Sequence, residues 1–284
     1  CLVGSEMCIR DRLWAPCIGK SMLLRRVITA LCLAAAALAG IFLLPEWGFA
    51  LLFGVAAGAG VYEWSGFLQG LSKPARFGYV VLYVVLIALI YLNAGLHAYA
   101  VTAAAVVWSG LVLLVLAYPR GRSLYSRSWL VGIVGQLLMV GAWASLLIIR
   151  QMPYGDYWLL WMLVLTTATD VGGFFSGRAL GKRKLAPALS PGKTWEGAAG
   201  GMLLALGICL TALLVLGSWS VGLALLLTAG LVVMAIFGDL FESLLKRSTG
   251  LKDSGGLLPG HGGVLDRIDS IIAVAPVLAW ILLL

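Results

Sequence analysis

The stretch WSVGLALLLTAGLVVMAIFGDL, residues 219–240, decides the fold class of this chain. It is uncharged until Asp239, and an apolar run of about 20 residues is long enough to cross the hydrocarbon core of a bilayer as a helix. A carboxylate at that depth is costly unless it faces a cavity, a cation or a partner. The stretch therefore predicts a membrane helix that ends at a polar site.

The composition extends this prediction to the whole chain. Of the 284 residues, 62% are hydrophobic and only 11% are charged, whereas soluble domains carry about 25% charged residues. With a mean hydropathy of +1.02, the chain has more apolar surface than a soluble fold can bury, so the excess faces membrane lipids. The net charge of +8 does not indicate a nucleic-acid partner, because the basic residues lie in short loops, where they set membrane topology.

The hydropathy pattern predicts an all-α, polytopic integral membrane protein with about nine transmembrane helices. With the N-terminus in the cytoplasm, 17 of the 18 Lys and Arg after Arg12 fall on the cytoplasmic side, and Arg150 is the exception. This separation predicts the orientation and supports the helix count. The predicted spans are residues 27–44, 48–68, 77–92, 98–117, 129–149, 157–176, 197–216, 219–240 and 268–284.

The chain divides into three sections. Residues 1–21 are expected to be an adapter-derived artefact and leader, because CLVGSEMCIRDR resembles a translated sequencing adapter and Met22 opens a typical first helix. Residues 22–150 hold the first five predicted helices. Residues 151–284 hold the remaining helices and two long polar loops, which the predicted topology places in the cytoplasm.

Chemistry is expected in those two loops. The first polar segment runs from Asp170 to Gly197, and the second runs from Gly238 to Asp269. Aspartate oxygens without cysteine suit a hard cation such as Mg²⁺, and neighbouring Lys and Arg suit phosphate groups. The combination indicates phosphoryl or nucleotidyl transfer. The alternative is a network of structural salt bridges.

Helical spacing groups some of these residues. Asp239, Ser243 and Lys246 or Arg247 recur at intervals of three and four, so they would share one face of an extended eighth helix. Asp266 and Asp269 are three apart and would share a face at the start of the ninth helix.

Fixed spacing over a longer segment adds a family resemblance. The run Ser243-x₂-Lys-Arg-x₄-Lys-Asp-x-Gly-x₂-Leu-Pro-x-His-Gly-Gly-Val-x-Asp-Arg-Ile-Asp269 resembles the signature of the phosphatidate cytidylyltransferases (CDP-diacylglycerol synthases) over its 27 residues. The upstream polar segment from Asp170 to Gly197 and the pair Glu63-Trp64 in the second helix are also similar to that family.

The resemblance implies an Mg²⁺-dependent reaction, with or without a second cation, in which CTP and phosphatidate give CDP-diacylglycerol and pyrophosphate. It also implies a homodimer. The pair Arg25-Arg26 and the short chain suggest a bacterial inner-membrane protein, and the separation of Lys and Arg predicts that the active site faces the cytoplasm. The expected metal ligands are Asp239, Asp266 and Asp170. The expected catalytic residues are Asp266, Asp239, Lys246 and Asp269. The expected substrate-binding residues are Ser190, Lys193, Ser243, Arg247, Lys252, Asp253, His261, Arg267 and Arg178.

Two other functions are compatible with parts of this pattern. CTP-dependent polyprenol or phytol kinases are distantly similar, but they transfer the γ-phosphate of CTP to an alcohol. An ion-coupled transporter would also contain intramembrane aspartates. It would place them near the middle of the membrane in interrupted helices, often in paired repeats, whereas here the charges lie toward one side and no repeat is evident.

Overall fold

The computed structural model describes residues 27–217, 219–251, 253–257 and 262–284. The predicted artefact and leader, residues 1–21, lie outside the described residues. Each of the nine predicted spans overlaps a helix. The helices are α1 (Val27–Phe42), α2 (Glu46–Trp64), α3 (Lys73–Leu92), α4 (Gly95–Leu116), the short α5 (Arg122–Tyr125), α6 (Ser128–Gln151), α7 (Gly155–Leu180), α8 (Trp195–Ala205), α9 (Thr211–Leu216), α10 (Val221–Thr249) and α11 (Leu265–Leu283).

The chain is an all-α membrane protein by the length and hydropathy of its helices. A π-helical turn, Leu206–Leu210, joins α8 and α9 into one continuous rod. Six helices of the described part are long and apolar enough to cross a bilayer, namely α3, α4, α6, α7, the α8–α9 rod and α10. The count of nine crossings and the orientation stay predictions.

Two helices continue beyond the ends of their predicted spans at residues 176 and 240. Helix α7 continues to Leu180, and α10 continues to Thr249, which confirms the extended eighth helix that the spacing of its charged residues predicted. Helix α10 continues because Leu244 and Leu245 are buried and extend its apolar face. The loop after α7 also contains an antiparallel hairpin of β1 (Lys184–Ala186) and β2 (Ser190–Thr194). These strands are too short to show a sequence period, and they add a small sheet to the predicted all-α fold.

Helix α6 lies at the centre of the bundle. In an apolar stretch of 18 residues of α6, 83% of the residues are buried. The corresponding share for α3, which lies at the periphery, is 11%. Helix α11 packs against α10, α6, α4, α2 and α7. Pro276 of α11 has no N–H to offer the carbonyl of Ile272, and the indole of Trp108 donates to that carbonyl instead at 2.9 Å. The site at the start of α11 is therefore attached to a tightly packed helix.

Arg150, the exception to the charge separation, has a structural role. Its guanidinium donates to the carbonyls of Gly40 and Leu44 at 3.2 and 2.7 Å, at the C-terminal end of α1, where cations interact favourably with the helix dipole. It also forms a salt bridge of 3.5 Å with Asp156. These contacts bring the end of α1 and the α6–α7 connection to the same end of the bundle.

Helices α7 and α8 meet along a seam of small residues. A Cβ at Gly172 would lie 2.7 Å from the carbonyl oxygen of Gly200, and one at Gly201 would lie 2.5 Å from that of Thr169. The close approach needs glycine on both sides. It holds the hairpin at the α7–α8 connection in place.

Candidate active site

One face of α10 carries the charged groups that its spacing predicted. Asp239, Ser243 and Lys246 lie on this single helix, and the hydroxyl of Ser243 is 3.5 Å from Oδ1 of Asp239. The structure adds Glu242, which is buried with 4% of its surface exposed. It forms an i,i+4 salt bridge of 2.9 Å with Lys246. Glu242 was not among the predicted site residues, although its spacing of three residues from Asp239 could have placed it on the same helix face.

The hairpin brings Lys193 to α10. The Lys193 ammonium lies 2.6 Å from Oδ2 of Asp239. Two sets of local hydrogen bonds hold the end of β2 in place. Thr194 caps α8 by accepting a hydrogen bond from the N–H of Gly197 at 3.1 Å, and the carboxylate of Glu196 accepts from the N–H groups of Lys182 and Arg183. The end of β2 therefore presents Lys193 in a fixed direction.

Three carboxylates from α10 and α11 converge beside this ion pair. Oxygens of Asp239, Glu242 and Asp269 all lie within 4.8 Å of one another. The approach depends on Gly238, because a Cβ there would lie 2.6 Å from the carbonyl oxygen of Asp269. A larger residue would separate the two helices and the carboxylates with them.

The charges around Asp269 favour a cation. Its carboxylate lies within 4.8 Å of the carboxylate oxygens of Asp239 and Glu242, and carboxylates this close repel one another when ionised. In addition, Oε1 of Glu242 is buried without a hydrogen-bond partner among the described residues. Clustered, partly unsatisfied carboxylate oxygens fit a hard divalent cation such as Mg²⁺. Asp239, Glu242 and Asp269 are the residues that would hold it.

Asp266 lies next to this cluster and pairs with Lys246. The Lys246 ammonium is 2.7 Å from Oδ1 of Asp266 and so bridges α10 and α11. The other oxygen, Oδ2, accepts hydrogen bonds from the Ser254 hydroxyl at 2.9 Å and the N–H of Gly263 at 3.0 Å. Asp266 thus connects the loop before α11 to the charged face of α10.

Asp170 faces the same region from α7, within electrostatic range of Asp239, Lys193 and Arg267. It is not one of the three carboxylates whose oxygens converge. The structure thus brings together Asp239, Asp269, Lys193, Lys246 and Asp266, with Asp170 beside them.

The other predicted site residues lie around the edge of this cluster. Arg247 donates to the carbonyl of Leu189 at 3.2 Å and so contacts the hairpin. Ser190 is half-buried at the start of β2, opposite Ala186. The exposed residues are Arg178, Asp253 and Arg267. Lys252 and His261, both predicted to bind substrate, lie outside the described residues.

Glu63, at the end of α2, also belongs to this end of the bundle. Its Oε2 accepts a hydrogen bond of 2.8 Å from the N–H of Leu265, in the first turn of α11. The sequence pointed to Glu63 only through the resemblance, without a role.

Comparison with known proteins supports the resemblance. A model of the cytidylyltransferase family matches residues 24–284. A phosphatidate cytidylyltransferase of Pseudomonas aeruginosa is 42% identical over 263 residues, which cover 92% of this chain and 97% of that protein. One from Haemophilus influenzae is 37% identical over 282 residues, 91% of this chain and 98% of that protein. The match to the family model extends over both halves of the helical bundle and over every described residue of the charged cluster. This chain therefore belongs to the cytidylyltransferase family.

Proposed function

We propose that this protein is a phosphatidate cytidylyltransferase, which converts CTP and phosphatidate into CDP-diacylglycerol and pyrophosphate. The observation that carries the proposal is the convergence of Asp239, Glu242 and Asp269 within 4.8 Å, flanked by Lys193 and Lys246. Relatives that align with nearly the whole chain bear that name.

The reaction needs little covalent help from the protein. A phosphate oxygen of phosphatidate attacks the α-phosphorus of CTP, and the bond from that phosphorus to the oxygen bridging to the β-phosphate breaks, so pyrophosphate leaves. The attacking and attacked groups are both anionic. Catalysis must therefore come mainly from positioning and from charge neutralisation at oxygen.

The residues of the cluster suit those two tasks. Mg²⁺ held by Asp239, Glu242 and Asp269 would neutralise charge on phosphate oxygens. Lys193 and Lys246 bring two ammonium groups to the same place, and an ammonium is a strong donor to phosphate. Asp170 and Asp266 are further carboxylates for a second cation, and Asp266 also holds Lys246 in place.

The placement in the membrane is part of the proposal. The hairpin, the C-terminal end of α10 and the start of α11 lie together, which suits a protein with nine spans, a cytoplasmic N-terminus and a cytoplasm-facing site in the inner membrane. CTP would reach the cluster from the cytoplasm, and phosphatidate from the bilayer. A homodimer is proposed from the family resemblance alone.

Pyrophosphate release by purified protein in mixed micelles tests the proposal. Release is expected only when CTP, phosphatidate and Mg²⁺ are all present. Omission of each component in turn, and replacement of phosphatidate by diacylglycerol, serve as controls. Release without phosphatidate, or none with all three, would contradict the proposed reaction.

A further inference from the structure

We propose that Glu63 is a positioning residue, which fixes the first turn of α11 and thereby holds Asp266 beside Lys246. This inference rests on the proposed function for its kinetic consequence, although its structural consequence can be measured without any activity.

The contact itself is buried and directional. Glu63 has 4% of its surface exposed, and its Oε2 accepts the N–H of Leu265 at 2.8 Å. The first N–H groups of a helix have no partner within the helix, and a carboxylate at a helix N-terminus is favoured by the helix dipole. A side chain from α2 thus supplies the cap for α11, more than 200 residues further along the chain.

The loop before α11 is shaped around this carboxylate. A Cβ at Gly255 would collide with Oε1 of Glu63, and a Cβ at Gly263 would lie 2.6 Å from Oε2. Glycine at both positions lets the backbone approach the carboxylate from two sides. Gly263 is also a donor to Asp266, so the segment that encloses Glu63 also contacts Asp266.

The helix that carries Glu63 is anchored at the same point. The indole of the adjacent Trp64 donates to the carbonyl of Val131 in α6 at 3.0 Å. The ring lies where Gly135 leaves space, since a Cβ at that glycine would lie 2.5 Å from Cε2 of the indole. Because α6 is the most buried helix, Glu63 projects from a firmly held position.

A continuous set of contacts therefore links the core to the charged cluster. It runs from α6 through Trp64 and Glu63 to the N–H of Leu265, and from the next residue, Asp266, to Lys246 at 2.7 Å. Loss of the Glu63 acceptor would let the first turn of α11 move, and Asp266 would move with it. Small displacements of groups that must meet reacting phosphates have large effects on rate.

The test compares Glu63→Ala with Glu63→Gln, whose side-chain carbonyl can still accept the N–H of Leu265. The matched control is Trp108→Phe, which removes a different buried donor to α11, at Ile272. We expect Glu63→Ala to lower kcat at least about tenfold, because a buried hydrogen-bond acceptor is lost. KM for CTP should change by less than about threefold, because Glu63 makes no proposed contact with the substrate. Glu63→Gln should restore most of kcat, and Trp108→Phe should retain it.

Hydrogen exchange across residues 262–270 provides a readout that needs no substrate. Glu63→Ala should speed exchange in the first turn of α11, whereas Glu63→Gln and Trp108→Phe should not. Unchanged exchange in Glu63→Ala would overturn the inference. A kcat of Glu63→Ala within about twofold of wild type would also overturn it. Equal losses of kcat in Glu63→Ala and Glu63→Gln would overturn it as well. If the wild-type protein lacked cytidylyltransferase activity, the proposed function would fail, but the exchange result would still decide the role of Glu63.

Discussion

Asp239 connects the lysine of the hairpin to the carboxylate cluster. It pairs with Lys193 at 2.6 Å and contributes an oxygen to the three-carboxylate cluster. We expect Asp239→Asn to lower the rate of CDP-diacylglycerol formation by about a hundredfold or more, because charge at the reacting oxygens is no longer balanced. The control is Asp156→Asn at the opposite end of the bundle, which should stay within about twofold of wild type, because its salt bridge is partly exposed and worth little. Equal losses in both variants would contradict the assignment.

Lys246 holds two carboxylates together, and its removal should lower the stability of the protein. It bridges Glu242 and Asp266 at 2.9 and 2.7 Å, and its side chain is 16% exposed. Lys246→Met leaves both carboxylates without their partner, a loss worth about 3 kcal/mol of stability for a buried pair. Thermal unfolding in detergent should show a clearly lower Tm than for Lys73→Met, which removes an exposed lysine. A Tm equal to that of the control would rule out the bridging role.

At the scale of elements, the approach of α10 to α11 sets the geometry of the cluster. Gly238 faces the backbone of α11, whereas Gly230 on the same helix has open space beside it. Gly238→Ala should force the helices apart and reduce activity strongly, while Gly230→Ala should leave activity unchanged and favour the helix slightly. Kinetics and Tm of the two variants would check this, and a fully active Gly238→Ala protein would refute it.

The elements also show which features could be predicted from the sequence. Helical spacing was enough to place Asp239, Ser243 and Lys246 on one face, because α10 is a single regular helix. The Lys193–Asp239 and Glu63–Leu265 contacts join segments far apart in the chain, and no local period encodes such pairs. The hairpin that carries Lys193 was missed for a related reason, since its strands of three and five residues are shorter than any period can reveal.

For the whole molecule, the central structural prediction is that the charged cluster faces the cytoplasm. A single cysteine at Lys184, in the hairpin, should be protected from a membrane-impermeant maleimide in intact cells and labelled in inverted vesicles. A cysteine at Tyr154, exposed in the α6–α7 connection, should show the opposite pattern. Both variants need a background without the native cysteines. Labelling of the hairpin position in intact cells would reverse the proposed orientation.

The chemical role of the molecule depends on which phosphate of CTP reaches the lipid. The most direct measurement incubates purified protein and Mg²⁺ with both phosphatidate and a polyprenol, adds either α-labelled or γ-labelled CTP, and follows the label into the lipid fraction and into pyrophosphate. We predict that the α-label enters the lipid and that the γ-label leaves in pyrophosphate. Entry of the γ-label into the lipid would indicate a CTP-dependent lipid kinase and would contradict the proposed cytidylyl transfer.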